Sequence, residues 1–241
     1  EMKALYEQRE FWSIRTVQII GITLIALGGF LLILSWINRS EIFLMYFEWL
    51  LIGWTVLSLR VWWPQWPWET HTFEIVVCSA FPPVVAMAVQ FLLSYAGVRS
   101  RPVAIALLLQ CMLVPISLAA VGADHLFTSA SAWFMLMAAE LIAAIAVYLW
   151  LAWKNHRDDF WPMGITLGCM GLLVMNEIAM QYGWLPRLSV QPLNFAFPML
   201  LLGIGSRLLQ VFGRALQAAE VNRTLLEKRV LEATAEIERN F

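Results

Sequence analysis

Across 241 residues the chain is 61% hydrophobic and only 14% charged, with a mean hydropathy of +0.70, well above the level of a soluble domain. That composition excludes a water-soluble globular domain as the bulk of the chain. The net charge of −1 says little by itself, because where the charges lie matters more, and no nucleic-acid partner is expected.

The chain opens at Glu1 with no basic segment leading to a cleavage site, so no signal peptide is recognisable. After a short segment over 1–15, expected outside the membrane, continuous apolar runs occupy roughly 16–37, 42–62, 73–96, 102–122, 130–153, 161–183 and 192–212. Each approaches the roughly 20 apolar residues that a spanning helix needs, and none alternates as a barrel strand would. The expected fold is therefore all-α: an integral membrane bundle of seven transmembrane helices over 16–212. Three cysteines, Cys78, Cys111 and Cys169, lie inside these runs, too far apart for a metal site, and read as small core residues.

Basic residues set the expected orientation. Arg39, Arg99, Arg101, Lys154 and Arg157 fall in the first, third and fifth loops, and six more lie from Arg207 onward. The opposite side holds Lys3, Arg9, Arg15, Arg60 and Arg187. This bias predicts a multi-pass protein with an outside N-terminus and a cytoplasmic C-terminus. Most of the 13 tryptophans fall at run ends, where indoles prefer the headgroup level. The cluster Trp62, Trp63, Trp66 and Trp68 is denser than anchoring requires, and suggests an aromatic lid over an outward pocket.

Ionisable groups at membrane depth are costly and point to function. Arg60, Glu74, Glu140, Asn176 and Glu177 could converge on an outer cavity, with Trp66 and Trp68 above it and Arg60 as counter-ion. Glu48, Gln90 and Gln110 add further polar groups. Interhelical packing explains such residues as well as ligand or proton sensing does, and both readings stay open. A small amphiphile is one candidate ligand. Gly164 and Gly168 form a GxxxG pair, with Gly171 a turn later, a pattern that permits close helix approach. Pro115 and Pro198 fall inside runs and should kink them. Pro198 shares its helix with the C-terminal segment, which makes it a candidate hinge.

That segment, 206–241, is expected to extend the last helix into a cytoplasmic parallel coiled coil. With Leu202 at position a, the a and d positions include Leu209, Phe212, Leu216, Ala219, Leu226, Val230, Ala233 and Ile237. Such a seam buries itself against a second copy, hence a parallel homodimer. Arg223 interrupts the seam at an a position, a costly place that can fix register.

The stretch from Asn222 through Arg223, Leu226, Glu227, Val230, Thr234, Glu236 and Ile237 resembles the signalling helix that precedes output domains in bacterial sensors. The usual pattern there is Asn-Arg-x-Leu-Glu-x-Arg-Val-x-x-x-Thr-x-Glu-Leu; here one residue is added near Leu225, and Ile237 replaces the usual Leu. Seven spans with this helix resemble the bacterial seven-transmembrane receptors with diverse intracellular signalling modules. The resemblance implies a sensor that drives a histidine kinase of a two-component system, or a diguanylate cyclase. The chain carries no phosphate-binding loop and no catalytic Asp-Asn set of its own. A transporter or channel is the alternative from another class, though no inverted repeat or paired broken helix is evident. Retinal chemistry is excluded, since Lys3, Lys154 and Lys228 all lie outside the runs. His71, His125 and His156 are solitary loop residues, so neither a cofactor nor a metal is expected.

Overall fold

The computed structural model describes residues 16–37, 42–62, 70–122, 125–156, 160–184 and 193–240. Among these residues there are seven helices and no strand: α1 (Thr16–Ile37), α2 (Ile42–Trp62), α3 (Thr70–Tyr95), α4 (Arg101–Val121), α5 (Leu126–Lys154), α6 (Phe160–Gln181) and α7 (Leu193–Asn240). Helix edges fall within a few residues of the apolar runs, because each run is bounded by polar or glycine-bearing breaks. His71 lies inside α3 rather than in a loop.

Four segments are long and apolar enough to cross a membrane: Thr72–Tyr95, Arg101–Val121, Leu126–Lys154 and Phe160–Met180. Shorter apolar stretches occupy Gln18–Ile33, Ile42–Ser58 and Phe197–Gln210. The chain is thus a helical membrane protein by length and composition. Helix α4 shows why water is the wrong solvent for it. Leu107, Gln110, Val114 and Leu118 make its buried stripe, while Ile105, Leu108, Met112 and Ile116 are all more than half exposed. Apolar area on that scale aggregates in water, whereas lipid tails solvate it.

The chain divides into two compact units, Glu1–Leu202 and Gly203–Phe241. In the first, α1 packs on α2, α2 on α3, and α3 on both α4 and α5, with α5 also against α4 and α6. Paired residues give the directions. Phe43 meets Tyr95, Phe47 meets Phe91 and Gly53 faces Val84, so α3 recedes as α2 advances and the two run antiparallel. Phe81 with Phe134 and Tyr95 with Tyr148 advance together, so α3 and α5 run parallel. Central α3 is buried over its second half, from Phe91 to Leu93 and at Tyr95.

Turn chemistry ends three of the helices. After α3, Gly97 adopts φ +80° and its N–H bonds Ser94, while the Val98 N–H reaches Leu93. After α6, Gly183 at φ +74° bonds Met180, and the Trp184 N–H reaches Ala179. Both are left-handed glycine caps that satisfy terminal carbonyls. The corresponding place after α5 holds His156 at φ +46°, its N–H on Trp153. A side chain there costs about 1–2 kcal/mol relative to glycine.

Some sequence expectations change. Cys169 is exposed, whereas Cys78 and Cys111 are half-buried, because Cys169 lies off the Met163, Leu167, Met170 and Val174 stripe that α6 buries. The GxxxG pair makes no close crossing among the described residues. A Cβ at Gly164 would sit 3.4 Å from Leu149, and one at Gly168 or Gly171 would meet nothing within 4 Å. The tight approach falls instead at Gly53, whose Cβ would lie 2.8 Å from Val84 Cγ2. Two further prolines, Pro82 and Pro83, lie inside α3 just before Val84. They remove two backbone donors in mid-helix without ending it.

Candidate functional site

Antiparallel packing of α4 on α5 brings together two polar layers. Nearer the α4–α5 turn, the Trp133 indole N–H donates to Ser117 Oγ at 2.8 Å, and the Ser117 hydroxyl donates to the Val114 carbonyl at 2.8 Å. Around them Val114, Leu118 and Leu126 pack with Ile75, Cys78 and Ala130. Trp133 is therefore turned inward, unlike Trp150, Trp153, Trp161 and Trp184, which are strongly exposed at helix ends.

Two helical turns deeper, Glu140 of α5 lies beside Gln110 and Cys111 of α4. Gln110 is 8% exposed. Its Nε2, and Glu140 Oε2, are shielded from solvent yet make no hydrogen bond among the described residues. Buried polar atoms are nearly always satisfied, and leaving one unsatisfied costs about 1–3 kcal/mol. The half-made pair is the most distinctive chemistry in the bundle: an acceptor and a donor at membrane depth, each with capacity to spare.

The other candidates lie on α3 and α6. Glu74 is half-buried in the second turn of α3, and Asn176 and Glu177 are half-buried near the end of α6. Asn176 Oδ1 is shielded and has no hydrogen-bond partner among the described residues. Among the described residues no ion pair involves Glu74, Glu140 or Glu177. The Arg60 side chain, Trp66 and Trp68 lie outside the described residues, as does the 1–15 segment. Glu48 is 1% exposed, one residue from Phe47 in the α2–α3 aromatic cluster, and its depth is a tertiary result that its neighbours in sequence do not announce.

A second feature joins the bundle to α7. Trp54 of α2 packs on Phe197 with ring centroids 4.1 Å apart and planes tilted by 36°. Trp54 Nε1 is buried and has no hydrogen-bond partner among the described residues. Phe197 immediately precedes Pro198, which is buried inside a helix that continues through it. The proline leaves the carbonyl four residues earlier without its helical donor, a soft point in the α7 ladder.

Beyond Gly203, α7 changes character. Every residue from Glu220 to Val230 is exposed, including Leu226 and Val230 at 63% each. Arg223 Nε donates to Glu227 Oε1 at 3.0 Å along the helix surface. Leu209 is half-buried, while the side chains of Phe212, Leu216, Ala219, Ala233 and Ile237 lie outside the described residues. No group of His, Cys, Asp and Glu among the described residues could hold a metal ion. No known protein family, curated protein or solved structure matches the chain.

Proposed function

We propose that this chain is a membrane sensor domain of seven spans, which detects an extracytoplasmic or membrane-borne signal. The signal passes through the last helix to a cytoplasmic output domain, a histidine kinase of a two-component system. The observation that carries this reading is α7. Its 48 residues form one helix, about 72 Å long at 1.5 Å per residue, against a hydrocarbon core about 30 Å thick. A helix of that length has many more residues than one crossing requires. Its first turns pack on Trp54, and its last turns carry charged residues with exposed Leu226 and Val230.

In this reading a change at the Gln110–Glu140 layer or in the outer cavity shifts α2 and α3. The Trp54–Phe197 contact passes the shift to α7, and Pro198 lets the helix tilt. Leu226 and Val230 meet their counterparts in a second copy, so a small rotation alters the partner domain's register. A diguanylate cyclase output would use the same relay. A transporter gives no role to an exposed helix of this length.

The test is a fusion of residues 1–241 to the catalytic core of a histidine kinase, with one to four alanines inserted after Glu220. Each insertion turns the downstream helix by about 100°. Kinase output should rise and fall with the helical phase. Single cysteines at Leu226 and Val230 should cross-link between copies far better than one at Lys228. Output that is flat across the series, with equal cross-linking at all three positions, refutes the relay.

A further inference from the structure

At the end of α5 lies a cleft of about 450 Å³ lined by Trp150, Trp153, Lys154 and His156, which neither the packing nor the proposed relay uses. We propose that it binds the headgroup and upper acyl chain of one anionic phospholipid. The proposal is independent of the sensor reading.

Depth comes first. Helix α5 is 29 residues long, about 44 Å against a core of about 30 Å, so its final turns reach the headgroup layer. Chemistry comes second. The two tryptophans are mostly exposed and offer indole faces to glycerol and acyl carbons. The exposed Lys154 ammonium stands 5.4 Å from the Trp150 ring centroid, within cation–π range, which places a positive charge at the cleft. Among the described residues that line it, none is acidic. The Lys154 charge favours a phosphate monoanion over a zwitterion.

Backbone strain supplies a third, separate argument. The turns after α3 and α6 place glycine at the left-handed position, whereas this one places His156 there at φ +46°. Glycine would close the turn more cheaply. What the histidine adds is an imidazole on the same cleft as Lys154. Strained non-glycine residues persist where the side chain serves a purpose.

The purified full chain, stripped of lipid in a neutral detergent, is titrated with phosphatidylglycerol or phosphatidylcholine brominated near the headgroup. Quenching that is lost in a Trp150→Phe/Trp153→Phe variant reports the cleft. Phosphatidylglycerol should bind at least fivefold more tightly, since one basic residue near an anionic lipid surface is worth about that factor. Lys154→Gln should remove about fivefold of this preference. His156→Gly should leave the melting temperature unchanged or raised, by relief of the left-handed strain, yet weaken phosphatidylglycerol binding. Glycerol 3-phosphate should not displace the lipid, because it leaves the indole faces uncovered. Equal affinity for the two lipids, unaltered affinity in both variants, or displacement by glycerol 3-phosphate overturns the proposal.

Discussion

A methyl group added at Gly53 would lie 2.8 Å from Val84 Cγ2, about 1 Å inside comfortable carbon–carbon contact. Valine cannot swing away easily, since its branched Cβ leaves it few rotamers in a helix. Relief therefore requires α2 and α3 to separate, at an overpacking cost of about 1–3 kcal/mol. Alanine returns about 0.5–1 kcal/mol by stiffening the helix relative to glycine. Gly53→Ala should then destabilise the bundle by a net amount of up to about 2.5 kcal/mol. The diagnostic step is to repeat it with Val84→Ala, which removes Cγ2 and leaves only the Val84 Cβ position, 3.8 Å away. In that background the same substitution should become neutral or stabilising, a coupling of about 1–3 kcal/mol between touching sites. Reversible unfolding in mixed micelles of rising dodecyl sulfate content, followed by far-ultraviolet circular dichroism, measures all four corners of the cycle. An identical effect of Gly53→Ala in both backgrounds would refute a tight α2–α3 crossing at this point.

Two further outcomes are expected from the kinase fusion. Pro198→Ala restores a backbone donor inside α7, so it should preserve or raise stability while changing kinase output; unchanged output would remove Pro198 as a hinge. Replacing both Gln110 and Glu140 with leucine deletes two half-satisfied polar groups together, so the melting temperature should hold within a few degrees or rise. Output should nevertheless change at least threefold, and normal output would assign the pair to packing alone.

Helix number and helix limits were legible in the sequence because lipid and protein interior are both apolar. A long apolar run between polar breaks has only one low-energy backbone, since every buried peptide group must bond within its own segment. The same fact hides the rest. With apolar residues on every face, no periodicity separates the lipid side of α4 from its packed side, and the exposed Cys169 looks no different from half-buried Cys78. Of the glycine motif on α6 only Gly164 nears a neighbour, at 3.4 Å, while Gly168 and Gly171 meet nothing within 4 Å, and isolated Gly53 makes the tightest approach. Polar residues at depth were visible one by one, but the partners of Glu140 were not. Packing of α4 against α5 sets it beside Gln110 and Cys111, a neighbourhood that spacing along the chain does not announce.

What the sequence by itself determined is therefore the element list: seven helices among the described residues, their edges, and a last helix running from an apolar start into a charged tail. Tertiary structure alone decided which side chains meet. Helix formation is local, enforced by backbone hydrogen bonds within each segment, whereas helix contacts depend on rotation about axes that lipid solvation leaves undetermined until neighbouring surfaces interlock.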